Sequence, residues 1–212
     1  DRVIVPLVRR YGRAGQRADL APAILAYEFM NEPDFVIEEW ERDLSSHVSR
    51  PLPFEVLADL VSRLSDLVHA EHAEALTTIG CARVHNLWAW DDAAMGLDLL
   101  QVHSYPDTRH PEREADIFGM PPSALGVRRG VILGEFPGNG PEQHPERAAP
   151  PATTLGDYLE FAVSAGYAGA WPWSFSGTDA YGRLPVEPLR QFEARHPDLV
   201  NPRAFDARRA GP

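Results

Sequence analysis

The chain of 212 residues is 44% hydrophobic and 24% charged, a composition that suits one globular domain with a sizeable core. Its formal net charge of −11 argues against a nucleic-acid partner, because a phosphate backbone selects positively charged surfaces. The longest apolar runs have the length of strands and are interrupted by charges, so we expect no transmembrane helix and no membrane partner.

Two residue types are scarce enough to exclude particular chemistries. All 20 residues counted as Lys or Arg are Arg, so a Schiff-base mechanism, which needs a Lys amine, is excluded. Cys81 is the single cysteine, so no disulfide can form within the chain and a Cys-based metal site is not expected. The first residues show no signal-peptide pattern, which leaves both a secreted and a cytoplasmic location open.

The first half of the chain alternates between helical and strand-like patterns. Residues 2–12 have their apolar positions on one helix face, whereas residues 23–31 are apolar on both faces, as in a covered parallel strand. Residues 53–75 carry apolar side chains at helical spacing, after prolines that suit the start of a helix. Further strands are predicted over residues 77–84 and 97–103.

The second half continues the same alternation. Its predicted elements are a strand over residues 131–135, a helix over 154–165, a strand over 167–173 and a helix over 185–195. Its predicted irregular segments are the proline-rich loops 105–122 and 137–151 and a C-terminal tail over 197–212. An alternation of strands and helices is typical of a parallel sheet with helices on its faces.

Two glutamates stand where an apolar strand ends. Glu32 follows the strand over residues 23–31, and Glu135 ends the strand over residues 131–135. A carboxylate in such a place is costly to keep charged, because burial favours its neutral form. Two such carboxylates indicate a site that uses an acid and a base together. Cleavage of a glycosidic bond is the reaction that most often needs this pair.

Four short motifs stand at the ends of predicted strands: Tyr27-Glu-Phe-Met-Asn31-Glu32-Pro33, His103-Ser-Tyr105-Pro, Gly134-Glu135-Phe136 and Gly169-Ala-Trp171-Pro-Trp173. In this order they resemble the motifs of barrel strands four, six, seven and eight of clan A glycoside hydrolases, and of family 5 in particular. The motifs occur in the family's order within residues 23–173, which is about seven-tenths of the chain.

The resemblance implies an α/β fold of the (β/α)8 TIM-barrel type, of which this chain would cover about strands four to eight. Residues 1–212 would be a single segment of a catalytic barrel, since the residues before position 23 leave room for one helix only. We expect strands one to three to lie upstream in a longer chain or to come from a second chain. Open sheet edges would otherwise favour association or misfolding.

The spacing of the two glutamates agrees with this arrangement. Glu32 and Glu135 are 103 residues apart (135 − 32), and a barrel of typical size has roughly 31 residues in each of its eight units. The separation is therefore close to three units. The units are uneven, because residues 85–96 leave room for only a turn between two strands, and a much reduced helix is predicted there.

The resemblance also implies roles for residues of the motifs. Glu32 would be the general acid/base and Glu135 the nucleophile of a retaining mechanism, with the carboxyl groups about 5–5.5 Å apart. Asn31 would bind the sugar 2-hydroxyl. Tyr105 would donate a hydrogen bond that holds Glu135 ionised. His103 would support that network or the sugar.

Several tryptophans are candidate sugar contacts. Trp173 would form the floor of the subsite where cleavage occurs, because an indole face packs well against the C–H face of a pyranose. Trp171 belongs to the same motif, and Trp88 and Trp90 are candidates for outer subsites. For these side chains, packing in the core is the alternative. Trp40 and the acidic residues around it are predicted to form a solvated loop.

The remaining chemical groups indicate no cofactor. Glu28 lies on the strand face of Glu32, and we interpret it as a barrel-interior carboxylate paired with an Arg, since a buried charge needs a partner. The histidines form no recognisable metal site, and the sequence contains neither a glycine-rich phosphate loop nor a Gly-x-Ser-x-Gly elbow. Neither a metal nor an organic cofactor is therefore expected.

These observations favour a retaining β-glycoside hydrolase that acts on a β-linked glycan, with mannan, cellulose and other β-glucans all open. One alternative is a catalytically inactive barrel fragment that binds carbohydrate or serves in an assembly. A third hypothesis, transglycosylation, would use the same residues. The sequence leaves the linkage, the endo or exo mode and the oligomeric state undetermined.

Overall fold

The fold is built on one parallel sheet. The computed structural model describes residues 2–38, 40, 51–105, 117–138, 154–176 and 183–200. Its five strands are β1 (Ala26–Asn31), β2 (Leu76–Cys81), β3 (Leu99–His103), β4 (Gly130–Glu135) and β5 (Gly169–Ala170). They lie side by side in the order β1-β2-β3-β4-β5, and each neighbouring pair is parallel. This arrangement confirms the predicted parallel sheet.

Helices connect the strands. They are α1 (Ile4–Tyr11), α2 (Phe54–Glu71), α3 (Leu87–Trp90), α4 (Leu155–Ala165), α5 (Val186–Arg195) and α6 (Pro197–Val200). The short helix α6 shows that the predicted irregular tail begins with one helical turn. Residues 201–212 and most of the two predicted loops, 106–116 and 139–150, lie outside the described residues. None of the helices in the described ranges combines the length and apolar character that crossing a bilayer requires.

The sheet has one apolar face and one polar face. Side chains that alternate along the central strands pack with the helices in the main core: Ile79, Cys81, Leu100, Val102, Val131 and Leu133. Helix α2 contributes the buried residues Leu57 and Val61 to this core, one helical turn apart. Because successive strand residues point to opposite faces, Thr78, Gln101 and His103 lie on the other face. His103, a candidate site residue, therefore lies on the face opposite the main core.

Strand β5 is shorter than the predicted strand over residues 167–173. Only Gly169 and Ala170 form a ladder with β4. Beyond them, single backbone bonds continue the contact: the N–H of Trp171 donates to Leu133 and that of Trp173 to Phe136. The two donors are two residues apart, whereas their acceptors Leu133 and Phe136 are three residues apart, so the regular register with β4 is lost here.

The connection between β2 and β3 has the predicted reduced helix. It consists of a 3₁₀ turn at Val84–Asn86, the single turn α3 and a second 3₁₀ turn at Ala93–Met95. Within it Trp90 is 0% exposed, and its ring packs edge-on against Trp40 and Phe54. Two predictions were therefore wrong: Trp90 fills the core instead of facing a glycan, and Trp40 is a packing residue instead of part of a solvated loop.

Candidate active site

The residues of the sequence motifs meet at the carboxyl end of the sheet. Glu32 directly follows β1, His103 is the last residue of β3 and Glu135 is the last residue of β4. Parallel strands bring their carboxyl ends to the same edge, and this edge carries the active site in barrel enzymes. The fold thus brings together side chains that are up to 103 positions apart in the sequence (135 − 32).

A buried histidine joins the two glutamates. His103 Nδ1 lies 2.9 Å from Glu32 Oε1 and 3.5 Å from Glu135 Oε2. The Tyr105 hydroxyl donates to Glu135 Oε2 at 2.7 Å, as the sequence predicts. One oxygen of each glutamate and a His103 nitrogen all lie within 4.8 Å of one another. The imidazole is buried, whereas both carboxylates are partly exposed and can reach a substrate.

The backbone of Glu32 is unusual. Its φ and ψ are 49° and 50°, in the left-handed region that residues with a Cβ enter at a cost. Its N–H donates to the Gly80 carbonyl at 2.8 Å, so Glu32 is still held to the end of β2. Pro33, with its fixed φ, follows and begins a 3₁₀ turn. This reversal ends β1 at the position where the carboxylate enters the site.

Burial dominates the electrostatics of Glu135. It raises the pKa of Glu135 above its ordinary value. The charge of His103 and the hydrogen bond from Tyr105 lower that pKa, and the charges of Glu32 and Glu28 raise it further. The net shift is upward. Tyr105 therefore favours the ionised form, as predicted, but its hydrogen bond does not outweigh burial.

We expect the variant Glu135→Gln to be more stable than the wild type at pH 7. A carboxyl whose pKa is raised in the folded state favours folding below the pKa of the unfolded chain, and this contribution is lost as the pH rises through the folded pKa. The ionised group therefore destabilises the fold at neutral pH, and glutamine removes that effect. The gain in melting temperature should vanish below about pH 4.3, the ordinary Glu pKa.

Glu160 offers a control of opposite sign. Hydrogen bonds from His196 and Arg195 lower the pKa of this surface carboxyl, so its ionised form favours folding above the unfolded pKa. Glu160→Gln should therefore lower the melting temperature at pH 7. Melting curves of both variants from pH 4 to pH 8 test the assignment. An unchanged or lower melting temperature for Glu135→Gln at pH 7 would contradict it.

Glu28 has a different partner from the predicted one. Its Oε2 accepts a hydrogen bond from Gln101 Nε2 at 2.8 Å, and no Arg bonds to it within the described residues. The predicted Arg pairing is therefore not observed there. Glycine makes room for this network, because a Cβ on Gly80 would lie 2.9 Å from Glu28 Oε1 and 3.0 Å from His103 Nε2.

Asn31 ends β1 next to the site and is exposed.

The aromatic candidates fall into different environments. Trp171 and Trp173 are exposed and follow β5, at the same edge of the sheet as the glutamates. Trp88 is 67% exposed and lies on α3, after β2. All three side chains therefore have surface that solvent reaches, whereas Trp90 is buried.

Two features of the site are not evident from the motifs. Each of Glu32, His103 and Glu135 offers a ligand atom at a spacing that a metal ion could use, although the same atoms are engaged in the hydrogen-bond network. Asp34 is a further buried carboxylate, 2% exposed, that bonds to the end of β2. Its sequence signal is a charged residue just after Pro33 and before an apolar run.

Comparisons with known proteins give a likeness of fold. No protein-family profile matches the chain, and no curated protein matches its sequence. The β-mannanase of the blue mussel Mytilus edulis aligns with 94% of this chain at 18% identity and a TM-score of 0.68. The β-1,4-mannanase of the sea hare Aplysia kurodai aligns with 93% at 18% identity and a TM-score of 0.66. A β-glucanase of Saccharophagus degradans aligns with 91% at 16% identity and a TM-score of 0.54.

The chain spans little more than half of these proteins. The alignments cover 58% of the mussel chain, 58% of the sea-hare chain and 56% of the bacterial chain. Five parallel strands with helices between them correspond to part of an eight-stranded barrel. The chain therefore has the fold of a partial (β/α)8 barrel, and it is similar in fold to solved β-mannanases and to a β-glucanase.

Proposed function

We propose that the chain is the catalytic segment of a retaining β-glycoside hydrolase with Glu32 as the acid/base and Glu135 as the nucleophile. One observation carries this proposal: the two glutamates face each other across buried His103 at the carboxyl edge of the sheet. A pair of carboxyl groups flanking the scissile bond is what most glycosidases use. The likeness of fold to β-mannanases and a β-glucanase supports the same chemistry.

The reaction takes place in two displacements. Glu135 attacks the anomeric carbon and forms a glycosyl ester, while Glu32 donates its proton to the leaving oxygen as the C–O bond breaks. Glu32 then takes a proton from water, the water oxygen attacks the same carbon, and Glu135 leaves as a carboxylate. Oxygens within 4.8 Å of each other fit direct attack by Glu135, because inverting enzymes need a wider gap that holds the water.

Neighbouring residues serve this chemistry. Tyr105 and His103 stabilise the charged form of Glu135, as their effects on its pKa indicate. Asn31 would bond the sugar 2-hydroxyl and Trp173 would pack against the ring at the cleavage subsite, roles that the exposure of both side chains supports. Trp171 and Trp88 are exposed candidates for further sugar contacts.

The likeness of fold supports a class of substrate. The similar structures are described as β-mannanases and a β-glucanase, so we propose a β-linked mannan or glucan as the substrate. The proposed steps use no metal and no organic cofactor, since two carboxyl groups and water suffice for both displacements.

A second candidate function has one observation in its favour. The chain spans less than three-fifths of the similar structures, and within the described residues β1 and β5 are the two edges of the sheet. We propose that residues 1–212 form one barrel segment whose edges pair with strands from a longer chain or from a partner. Without those strands the segment would bind glycan or assemble without turnover.

Hydrolysis of β-mannan and β-glucan, followed by NMR of the first products, tests the proposal. We expect reducing ends to form and the new end to appear first as the β-anomer, as a retaining mechanism requires. Initial formation of the α-anomer would contradict the assignment of Glu135 as a nucleophile. Glycan binding without reducing ends would favour the second candidate.

A further inference from the structure

A buried carboxylate ties the turn after Glu32 to the end of β2. Asp34 is 2% exposed. Its Oδ2 accepts a hydrogen bond from the Ala82 N–H at 2.8 Å, and its Oδ1 accepts one from the Asn86 side-chain amide at 2.8 Å. The Cys81 thiol lies 3.4 Å from the same Oδ1. Both carboxylate oxygens are thus occupied by donors from the segment that follows β2.

The turn that Asp34 holds contains the left-handed Glu32. Only Pro33 separates the two residues, and its ring fixes its own φ. Strained backbone conformations of this kind persist when the surroundings over-determine them. The N–H of Glu32 is bonded to Gly80 on one side of the turn, and Asp34 is bonded to Ala82 on the other. The turn that contains the strained Glu32 is therefore fixed to the end of β2 by two hydrogen bonds, one to Gly80 and one to Ala82.

A second contact joins the same two segments. The guanidinium of Arg83 lies over the ring of Phe35, 5.3 Å from its centroid. Asp34 forms no ion pair among the described residues, so its burial is costly, and that burial raises its pKa. An apolar side chain in this place would leave the Ala82 N–H and the Asn86 amide without an acceptor, so the two segments are joined only if position 34 supplies acceptor oxygens.

We propose that Asp34 is a positioning residue for Glu32: by bonding the Ala82 N–H and the Asn86 amide, it holds Glu32 in the left-handed conformation that directs its carboxyl toward Glu135. This assignment rests on the proposed function for its catalytic consequence. Asp34 itself touches neither carboxyl of the pair in the described contacts. Its effect on the Glu32 carboxyl is transmitted through the backbone of Pro33 and Glu32.

The donor pattern explains why a carboxylate is required. In Asp34→Asn, one oxygen becomes an NH₂ group that faces either the Ala82 N–H or the Asn86 NH₂, so one donor meets another. The exchange Asp34→Asn with Asn86→Asp restores the pairing. The new amide keeps its oxygen toward Ala82 and donates to the carboxylate at position 86. An anchoring role predicts rescue by this exchange.

The test compares Asp34→Asn, the exchange variant and Asn86→Ala, a milder variant that removes a single donor. Asp98→Asn is the matched control, because Asp98 also accepts a backbone N–H bond, from Thr77, but at the opposite end of β2. Two substrates are used: a β-linked oligosaccharide, whose leaving group needs a proton from Glu32, and a dinitrophenyl β-glycoside, whose leaving group does not. NMR shifts of the Glu32 backbone report its conformation independently of activity.

For Asp34→Asn we expect kcat on the oligosaccharide to fall about tenfold or more, because small displacements of a catalytic group cost rate steeply. KM should change less than about twofold. The first displacement on the dinitrophenyl glycoside, followed by rapid mixing as release of dinitrophenolate, should slow less than about threefold, since that step needs no proton from Glu32. Asn86→Ala should shift the same quantities less, and the exchange should restore most of the loss. Asp98→Asn should lower the melting temperature and leave the ratio of the two substrates unchanged.

Equal losses in the oligosaccharide rate and in the first displacement on the dinitrophenyl glycoside, or unchanged Glu32 shifts in Asp34→Asn, would overturn the positioning role while leaving the hydrolase proposal intact. If the wild type cleaves neither substrate, the proposed function fails. In that case a shift of the Glu32 backbone in Asp34→Asn that the exchange reverses still supports the anchor.

Discussion

Replacing Glu135 with glutamine is expected to abolish turnover while glycan binding persists. Glutamine keeps the size of the side chain and an oxygen that accepts from Tyr105, but it cannot form the glycosyl ester. Loss of a covalent nucleophile removes a step of the reaction, so kcat should fall by at least about a thousandfold. Initial rates on β-mannan or β-glucan give kcat, and calorimetry with an oligosaccharide gives the dissociation constant.

Glu28→Gln is the matched control for this variant. Glu28 is the same residue type and its charge acts on Glu135, but it accepts from Gln101 instead of Tyr105. It should keep its activity to within about tenfold, because it affects Glu135 only through its charge. Unchanged activity in Glu135→Gln, with binding lost instead, would contradict the assignment of Glu135.

The second large effect is expected for Glu32→Gln. Without its proton the leaving oxygen must depart as an alkoxide, and general acid catalysis contributes about a hundredfold to ten-thousandfold. We expect a loss of this size on an oligosaccharide and a much smaller loss in the first step on a dinitrophenyl glycoside. Rapid mixing that follows dinitrophenolate release separates the two steps. Equal losses on both substrates would argue against Glu32 as the acid.

Much of the fold can be predicted from the sequence, since periodicity is a local property. Helix α2 follows from apolar positions one turn apart, such as Leu57 and Val61. Strand β4 follows from its apolar run. Strand β5 was predicted too long, because the apolar run continues past the point where pairing with β4 stops. Pairing depends on the neighbouring strand, and a local pattern does not contain it.

In the candidate site, too, some features can be predicted from local sequence patterns and others depend on long-range contacts. Convergence of Glu32, His103 and Glu135 follows from one rule, that parallel strands place their carboxyl ends together. The burial of Trp90 depends on how the connection after β2 packs against Trp40, which no motif specifies. The bonds of Asp34 likewise depend on two loops that meet only in the folded chain. Such contacts join residues far apart in the sequence and produce no periodic sequence pattern from which they could be predicted.

The most direct test of the central claim is to identify the residue that a mechanism-based fluoroglycoside labels. The fluorine slows both displacements and an activated leaving group keeps the first one fast enough, so the glycosyl ester accumulates. Peptide mapping by mass spectrometry should place the sugar on Glu135, and Glu135→Gln should remain unlabelled. A label on Glu28, or on Glu32, would contradict the proposed roles of the two glutamates.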